Sequence, residues 1–253
     1  RMELLDAAAL LVFLWPLGAA VGAVPFFLSG ALGPVDAFFE SVSSLTSTGI
    51  SFLGADAPYS LLLWRSIIAW LGSLSFVLML VTVMPTVCGS FGLVLTYEYS
   101  LSFSPLLVRM KRSAWQAVRI YVALTAFSTL LFFLAGLGPV DAASLAMMSL
   151  STGGGAGHPV FMARDNIWLE LAAIVSMLLA CGNFLLYRQA VRRRDWRLVW
   201  KDTEFRFLLG LLFLFGFGVS LHLWYVGVYD LADSVRYGFF EVVSFSSTSG
   251  FMA

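Results

Sequence analysis

Three short stretches hold the residue types with which a protein replaces the water around a metal cation: Thr46-Ser47-Thr48-Gly49, Ser151-Thr152-Gly153-Gly154 and Ser247-Thr248-Ser249-Gly250. An ion that leaves water needs oxygens in place of its hydration shell, and rings of backbone carbonyls supply them without a fixed charge that would trap it. Turning successive carbonyls toward one axis calls for unusual backbone angles. Glycine adopts these at least cost, and Ser and Thr add hydroxyl oxygens at the edge of the same ring. A single Ser-Thr-Gly stretch is an ordinary turn, so the argument rests on the three occurring at equivalent places.

They do, because the chain repeats itself. Gly33-Pro34-Val35-Asp36-Ala37 recurs as Gly138-Pro139-Val140-Asp141-Ala142, and Phe38-Phe39-Glu40 recurs as Phe239-Phe240-Glu241. Aligned without gaps, these copies bring the three Ser/Thr-Gly stretches into register. Each Pro suits the first turn of a helix, where its missing N–H costs nothing, and each Asp suits the positive end of the helix dipole. The stretch arrives about ten residues later, which gives a helix about 15 Å long, enough to reach halfway through a bilayer. Its partially negative end then points at mid-membrane, a favourable place for a dehydrated cation. A direct repeat in a membrane protein marks a pseudosymmetry axis with the transported species near it.

The elements that must position these loops are membrane spans. Sixty per cent of the 253 residues are hydrophobic and 12% charged, with a mean hydropathy of +0.88, well beyond a soluble domain. Charge-free stretches run over 7–35, 66–97, 120–140, 171–187 and 207–229, and most have the roughly 20 residues a span requires. The basic residues concentrate at Arg1, between Arg109 and Arg119, and between Arg188 and Arg206. The positive-inside rule makes those segments cytoplasmic and puts the loops around 29–60, 138–165 and 230 onward outside. Cytoplasmic ends then flank pairs of spans, so the short helix within each pair must enter and leave by one face as a re-entrant loop. Non-helical backbone at that depth is tolerated only beside a cavity or buried in protein.

The expected fold is therefore an all-α integral membrane protein of tandem span–pore helix–span repeats. Its divisions are a first repeat over 1–86, a cytoplasmic linker over 87–116, and a second repeat over 117–187. A basic cytoplasmic linker over 188–206 leads to a third repeat over 207–253 that stops just after its loop. The sequence reads as a fragment of a longer chain, with on the order of 130 further residues expected beyond Ala253 at about 20 per span plus connections. Cys88 and Cys181 read as packing residues near cytoplasmic span ends, where no disulfide framework is implied.

These units resemble the repeats of the Trk-, Ktr- and plant HKT-type potassium transporters, which carry four of them around one pore. The likeness runs through Asp36 to Gly49, Leu63-Trp64-Arg65-Ser66, Trp70-Leu71-Gly72, Ser149 to Gly154, and Phe240 through Phe251. The linkers, with Pro85, Gly92, Tyr97, Glu98, Asn183-Phe184 and Trp200 to Phe207, are most similar to the bacterial Trk-type potassium uptake membrane subunit. The resemblance implies potassium transport, with ion-facing oxygens from Thr46, Ser47, Ser151, Thr152, Ser247 and Thr248. Loop geometry would come from Thr48, Gly49, Gly154, Ser249 and Gly250, with Gly153 the competing choice to Gly154. It also implies that Gly49 goes with potassium preference, where serine in the plant relatives goes with sodium. Departures stand at Gly155, usually aromatic in the family, and at Ser247 and Ser249, commonly Thr.

The same resemblance implies an inner (plasma) membrane protein, a homodimer and a cytoplasmic nucleotide-binding regulatory subunit. The expected surroundings are the lipid bilayer, with no nucleic acid, no cofactor and no metal other than K+ at the filter. Arg192-Arg193-Arg194 could meet anionic lipid or a soluble partner, although topology alone already places positive charge there. Glu40 and Glu241 either attract cations or brace the loops as buried acceptors, the second being preferred; Leu145 occupies that position in the second unit. Arg65 reads as an anchor at the outer end of its span. His158 and His222 lack companions at ligand spacing; solvent exposure is expected for the first and a helix-packing hydrogen bond for the second. The rival readings are a sodium-selective or unselective relative, an intramembrane protease, and a non-transporting scaffold. The protease needs clustered catalytic groups inside spans, and the scaffold leaves three aligned loops unexplained. The chain is not expected to be an enzyme.

Overall fold

The computed structural model describes residues 4–54, 57–92, 103–154, 166–182 and 184–251, and every element in them is a helix. Arg1, Tyr97, Glu98, Gly155, His158, Arg164 and Asn183 lie outside the described residues. In chain order the helices are α1 (Leu4–Leu28), α2 (Pro34–Leu45), α3 (Tyr59–Gly92), α4 (Phe103–Leu134), α5 (Pro139–Ser151), α6 (Ile167–Cys181), α7 (Phe184–Arg193), α8 (Arg197–Lys201), α9 (Thr203–Val226) and α10 (Leu231–Ser246).

Among the described residues, three segments, Tyr59–Met79, Ala114–Leu134 and Thr203–Val226, are long and apolar enough to cross a membrane, and Val12–Leu28 and Ile167–Cys181 are shorter apolar helices. Each overlaps one of the five charge-free stretches. Their outward faces are greasy: Phe13, Leu17, Phe213 and Phe217 are each more than 60% exposed. A water-soluble surface does not carry apolar area on that scale. Several boundaries shift. Helix α3 starts at Tyr59 rather than after Arg65, so that Arg65 lies inside the helix. Helix α4 already starts at Phe103, within the expected linker 87–116, and the stretch 171–187 is divided between α6, which ends at Cys181, and α7, which starts at Phe184.

The short helices α2 and α5 start as their sequence dictates. Gly33 and Gly138 are the N-caps, Pro34 and Pro139 open the first turn, and Asp36 and Asp141 sit in it. Helix α10 has 16 residues against 12 in α2. It lacks the Gly-Pro start and is capped further upstream by Asp230, whose side chain accepts from the Asp233 N–H at 2.9 Å. Asp230 thus adds about one turn before the position that aligns with Pro34.

Two apolar cores hold the short helices. One joins Ala23 and Phe26 of α1, Ala37 of α2, and Leu61 and Ile68 of α3. The larger joins Phe132 of α4, Leu145 of α5, Leu169 and Met177 of α6, Leu212 of α9, Phe240 of α10 and Phe251. Helix α3 is shared: it packs against α2 of its own unit and against α4 and α5 of the next, as α6 packs against α4, α5 and then α10. Each second span is therefore a wall between neighbouring short helices. At the joints, Ser66 Oγ of α3 lies 2.7 Å from Ser144 Oγ of α5, and Trp70 Nε1 donates to Thr125 Oγ1 at 2.9 Å.

Candidate functional site

The three short helices end in the same backbone motif. The N–H of Thr48 donates to Ser43 O at 2.8 Å, that of Gly153 to Met148 O at 3.2 Å, and that of Ser249 to Ser244 O at 3.1 Å. One residue earlier, Ser47 N donates to Ser44 O at 3.0 Å, Thr152 N to Ser149 O at 3.4 Å and Thr248 N to Phe245 O at 3.1 Å. This paired pattern is the Schellman termination, in which the residue after the cap adopts the left-handed conformation and is most often glycine. Here that residue is Ser47, Thr152 or Thr248, with φ of 55°, 51° and 57°. Two residues on, Gly49, Gly154 and Gly250 return to positive φ at 84°, 83° and 62°. The loops are thus alike in backbone, in the register that the ungapped alignment requires.

Two loops are further pinned in the same way. Ser43 Oγ donates to Ile50 O and Ser244 Oγ to Phe251 O, each at 2.6 Å. Each bond ties the residue after a loop glycine back to its short helix.

The loops converge. A Cβ on Gly154 would come within 2.5 Å of Gly49 Cα, and one on Gly250 would lie 3.6 Å from Gly154 Cα, so Gly154 stands between its two counterparts. Beside them is a cavity of about 580 Å³ lined by the hydroxyl-bearing residues Thr46, Ser47, Ser73, Ser151, Thr152 and Thr248, with an apolar wall that includes Phe76 and Met79. The structure therefore brings five of the six residues named for ion-facing oxygens to the edge of one space. Ser247 is the exception, outside the cavity lining, with its hydroxyl 3.0 Å from Ser244 O and 2.8 Å from Ser249 Oγ; Ser151 lines the cavity although its hydroxyl also donates to Met148 O at 3.2 Å. Thr48 Oγ1 lies 2.7 Å from Thr46 Oγ1.

The charged residues nearest the loops face each other. Glu40 is fully buried and accepts from Ser51 Oγ at 2.9 Å and from the Phe52 N–H at 2.8 Å, which is the bracing role. Arg65 places Nε 2.9 Å from Glu40 Oε1. Its Nη2 donates to Gly49 O at 3.0 Å and Nη1 to Gly154 O at 3.4 Å. An end anchor does not describe it; it touches two of the Ser/Thr-Gly loops. Glu241 is exposed, unlike Glu40.

A second pair was not foreseen. Glu170, at the start of α6, accepts from Arg236 of α10 at 2.7 Å and 2.6 Å in a two-pronged contact. Its signal was present in the repeat, since Glu170 stands as far after Gly154 as Arg65 does after Gly49. The same position carries opposite charge in the two units. His222 lies on the exposed face of α9 instead of in a packed seam.

A family model described as "Cation transport protein" matches residues 22–253. Among curated proteins, the Trk system potassium uptake protein TrkH of Halomonas elongata is 32% identical over 97% of this chain and 52% of its own length. TrkH of Escherichia coli K12 is 29% identical over 96% of the chain and 52% of its own length. The chain thus spans about half the length of the curated relatives it matches. The crystal structure of the potassium transporter TrkH from Vibrio parahaemolyticus superposes with a TM-score of 0.84 at 26% identity, over 100% of this chain and 53% of that one. With the repeat, the three matching loops and this agreement over nearly its whole extent, the chain belongs to the TrkH family of cation transport proteins.

Proposed function

We propose that the chain supplies two complete span–pore helix–span units and the opening part of a third to a potassium-selective pore in an inner (plasma) membrane. The unit divisions are 1–86, 117–187 and 207–253, with cytoplasmic linkers over 87–116 and 188–206. The observation that carries the reading is the threefold recurrence of a hydroxyl residue at a strained left-handed position, next to one cavity. Glycine would hold that backbone without strain, so the side-chain oxygen is what the position retains. The relatives named as potassium uptake proteins support potassium as the ion.

In this reading a potassium ion sheds water against the hydroxyls and carbonyls of residues 46–48, 151–153 and 247–249. Thr46, Ser47, Ser151, Thr152 and Thr248 contribute oxygens, and Ser247, which does not line the cavity, acts through the backbone. Thr48, Gly49, Gly153, Gly154, Ser249 and Gly250 fix the loop shape. The carbonyl ends of α2, α5 and α10 lead into these loops and favour a cation there. The protein is a transporter and not an enzyme, works as a homodimer, and receives its gating signal from a nucleotide-binding subunit on the basic face.

The test is rubidium uptake by the full-length gene product in cells lacking their own potassium uptake systems, wild type against Gly49→Ser. At φ 84° and with Gly154 Cα 3.0 Å from its Cβ position, a serine strains the loop and pushes on its neighbour. Rubidium uptake resisted by sodium only weakly in the wild type, and lost or opened to sodium in the variant, is expected. Sodium competing as well as potassium in the wild type makes this an unselective or sodium transporter. No cation flux at all sinks the reading.

A further inference from the structure

We propose that Arg65 is the positioning residue that sets the spacing between the first and second filter loops and, through it, the discrimination between cations. The inference rests on the filter reading above. An arginine inside a membrane helix is costly unless paired, and Arg65 is only 2% exposed. Its contacts show what it is kept for. The guanidinium sits against Glu40 Oε1, Gly49 O and Gly154 O at 2.9, 3.0 and 3.4 Å. Glu40 in turn holds Ser51 Oγ and the Phe52 N–H. One planar group therefore holds the first loop at Gly49 and, through Glu40, just beyond it, while also holding the second loop at Gly154.

Two consequences follow from the chemistry of the group. The guanidinium presents its donors in a rigid fork, so the two carbonyls are held at a separation set by the width of that fork. The loops have no slack there, since the Gly49 and Gly154 backbones are already in contact. Both carbonyls also each commit a lone pair to a cationic group that would repel a passing ion. The ion-facing oxygens of these loops are then those before the glycines, in 46–48 and 151–153. Glu40 cancels the charge of Arg65, so the pair shapes the filter without opposing cation entry.

Lysine at this position keeps the charge but brings one ammonium on a flexible stem, which cannot span two carbonyls in a fixed plane. The full-length gene product, wild type, Arg65→Lys or Ser51→Ala, is expressed in cells lacking their own potassium uptake. Rubidium uptake and its inhibition by sodium are measured, each normalised to the amount of protein in the membrane. Arg65→Lys is expected to lower rubidium-over-sodium discrimination by about tenfold or more, the scale on which small misplacements of positioned groups act. Ser51→Ala, at a partly exposed loop residue that removes one brace of Glu40, shifts it in the same direction by a smaller factor. If Arg65→Lys does not accumulate in the membrane, Ser51→Ala decides. Variants that change flux only in proportion to their abundance, with wild-type discrimination, overturn the inference alone. A wild type that moves no cation removes the filter reading and this inference with it.

Discussion

Thr152 sits where a helix terminus ordinarily uses glycine, with φ 51° and ψ 31° at the end of α5. A β-branched residue held in the left-handed region costs about 1–3 kcal/mol, a cost that persists only where the surroundings impose it. Thr152→Gly should therefore stabilise the fold by about 1 kcal/mol, at the low end of that range, and still damage ion discrimination because it removes an oxygen from the cavity. A thermal unfolding midpoint in detergent that rises while rubidium selectivity falls is the expected pair of results. A selective Thr152→Gly transporter would mean that the hydroxyl is dispensable. The hydroxyls were legible in the sequence because their chemistry is local and their spacing repeats. The role of Arg65 was not, because a lone charge at the edge of an apolar run looks like an end anchor until α2 folds back beside it. Its partners Glu40, Gly49 and Gly154 come from three separate places in the chain.

The short helices and the second spans depend on each other for position. Gly72 of α3 lies against the backbone of Leu45, where α2 ends, so closely that a Cβ would collide with the Leu45 carbonyl. The obstacle is backbone and cannot rotate away, so Gly72→Ala should cost about 1–3 kcal/mol through overpacking and shift the first filter loop. Gly210→Ala in α9 is the control: its Cβ meets nothing within 4 Å, and it should gain roughly 0.5–1 kcal/mol from helix propensity. Thermal midpoints of the two variants moving in opposite directions would bear this out. The joint between α6 and α10 invites a different measurement. Arg236 and Glu170 are tied by two short bonds across the second and third units, and breaking such a charged contact costs roughly 1.5–3 kcal/mol. In a double-mutant cycle, Glu170→Gln and Arg236→Gln should each destabilise, and together cost less than their sum. Strict additivity would leave the joint to apolar packing. The starts of α2 and α5 were readable because Gly-Pro and Asp are local signals. The extra turn of α10 and the joint at Arg236 were not, since one depends on an unrepeated cap and the other on a neighbour from another unit.

At the scale of the whole molecule, sidedness decides whether the loops can work as a filter. The cavity is walled by Phe76 and Met79, further along α3 from the filter than Arg65 and toward the end that precedes the basic segment 109–119. Aromatic residues gather where interfacial belts form. Trp196 and Trp200 are exposed beside the basic α7 and α8, and Arg119 lies over the Trp115 ring at 5.5 Å, while Trp168, Trp224 and Tyr225 are exposed at the other end. The repeat and the charge distribution are what the sequence offers toward sidedness, because insertion responds to Lys and Arg placement. Which short helix lies beside which span was not readable, since packing between units leaves no periodic trace. If the basic linkers are cytoplasmic, Gln189 in α7 faces the cytosol, and Ala31 between α1 and α2 faces outside; both are exposed. In a background lacking Cys88 and Cys181, a membrane-impermeant maleimide added to intact cells should label Ala31→Cys and spare Gln189→Cys until the membrane is broken. The reverse pattern would put the hydroxyl-lined cavity on the outer face, and the filter would then come after the cavity for an entering ion. Labelling of both from outside would mean an even number of crossings between the two sites, against the three made by α3, α4 and α6 when α2 and α5 are re-entrant.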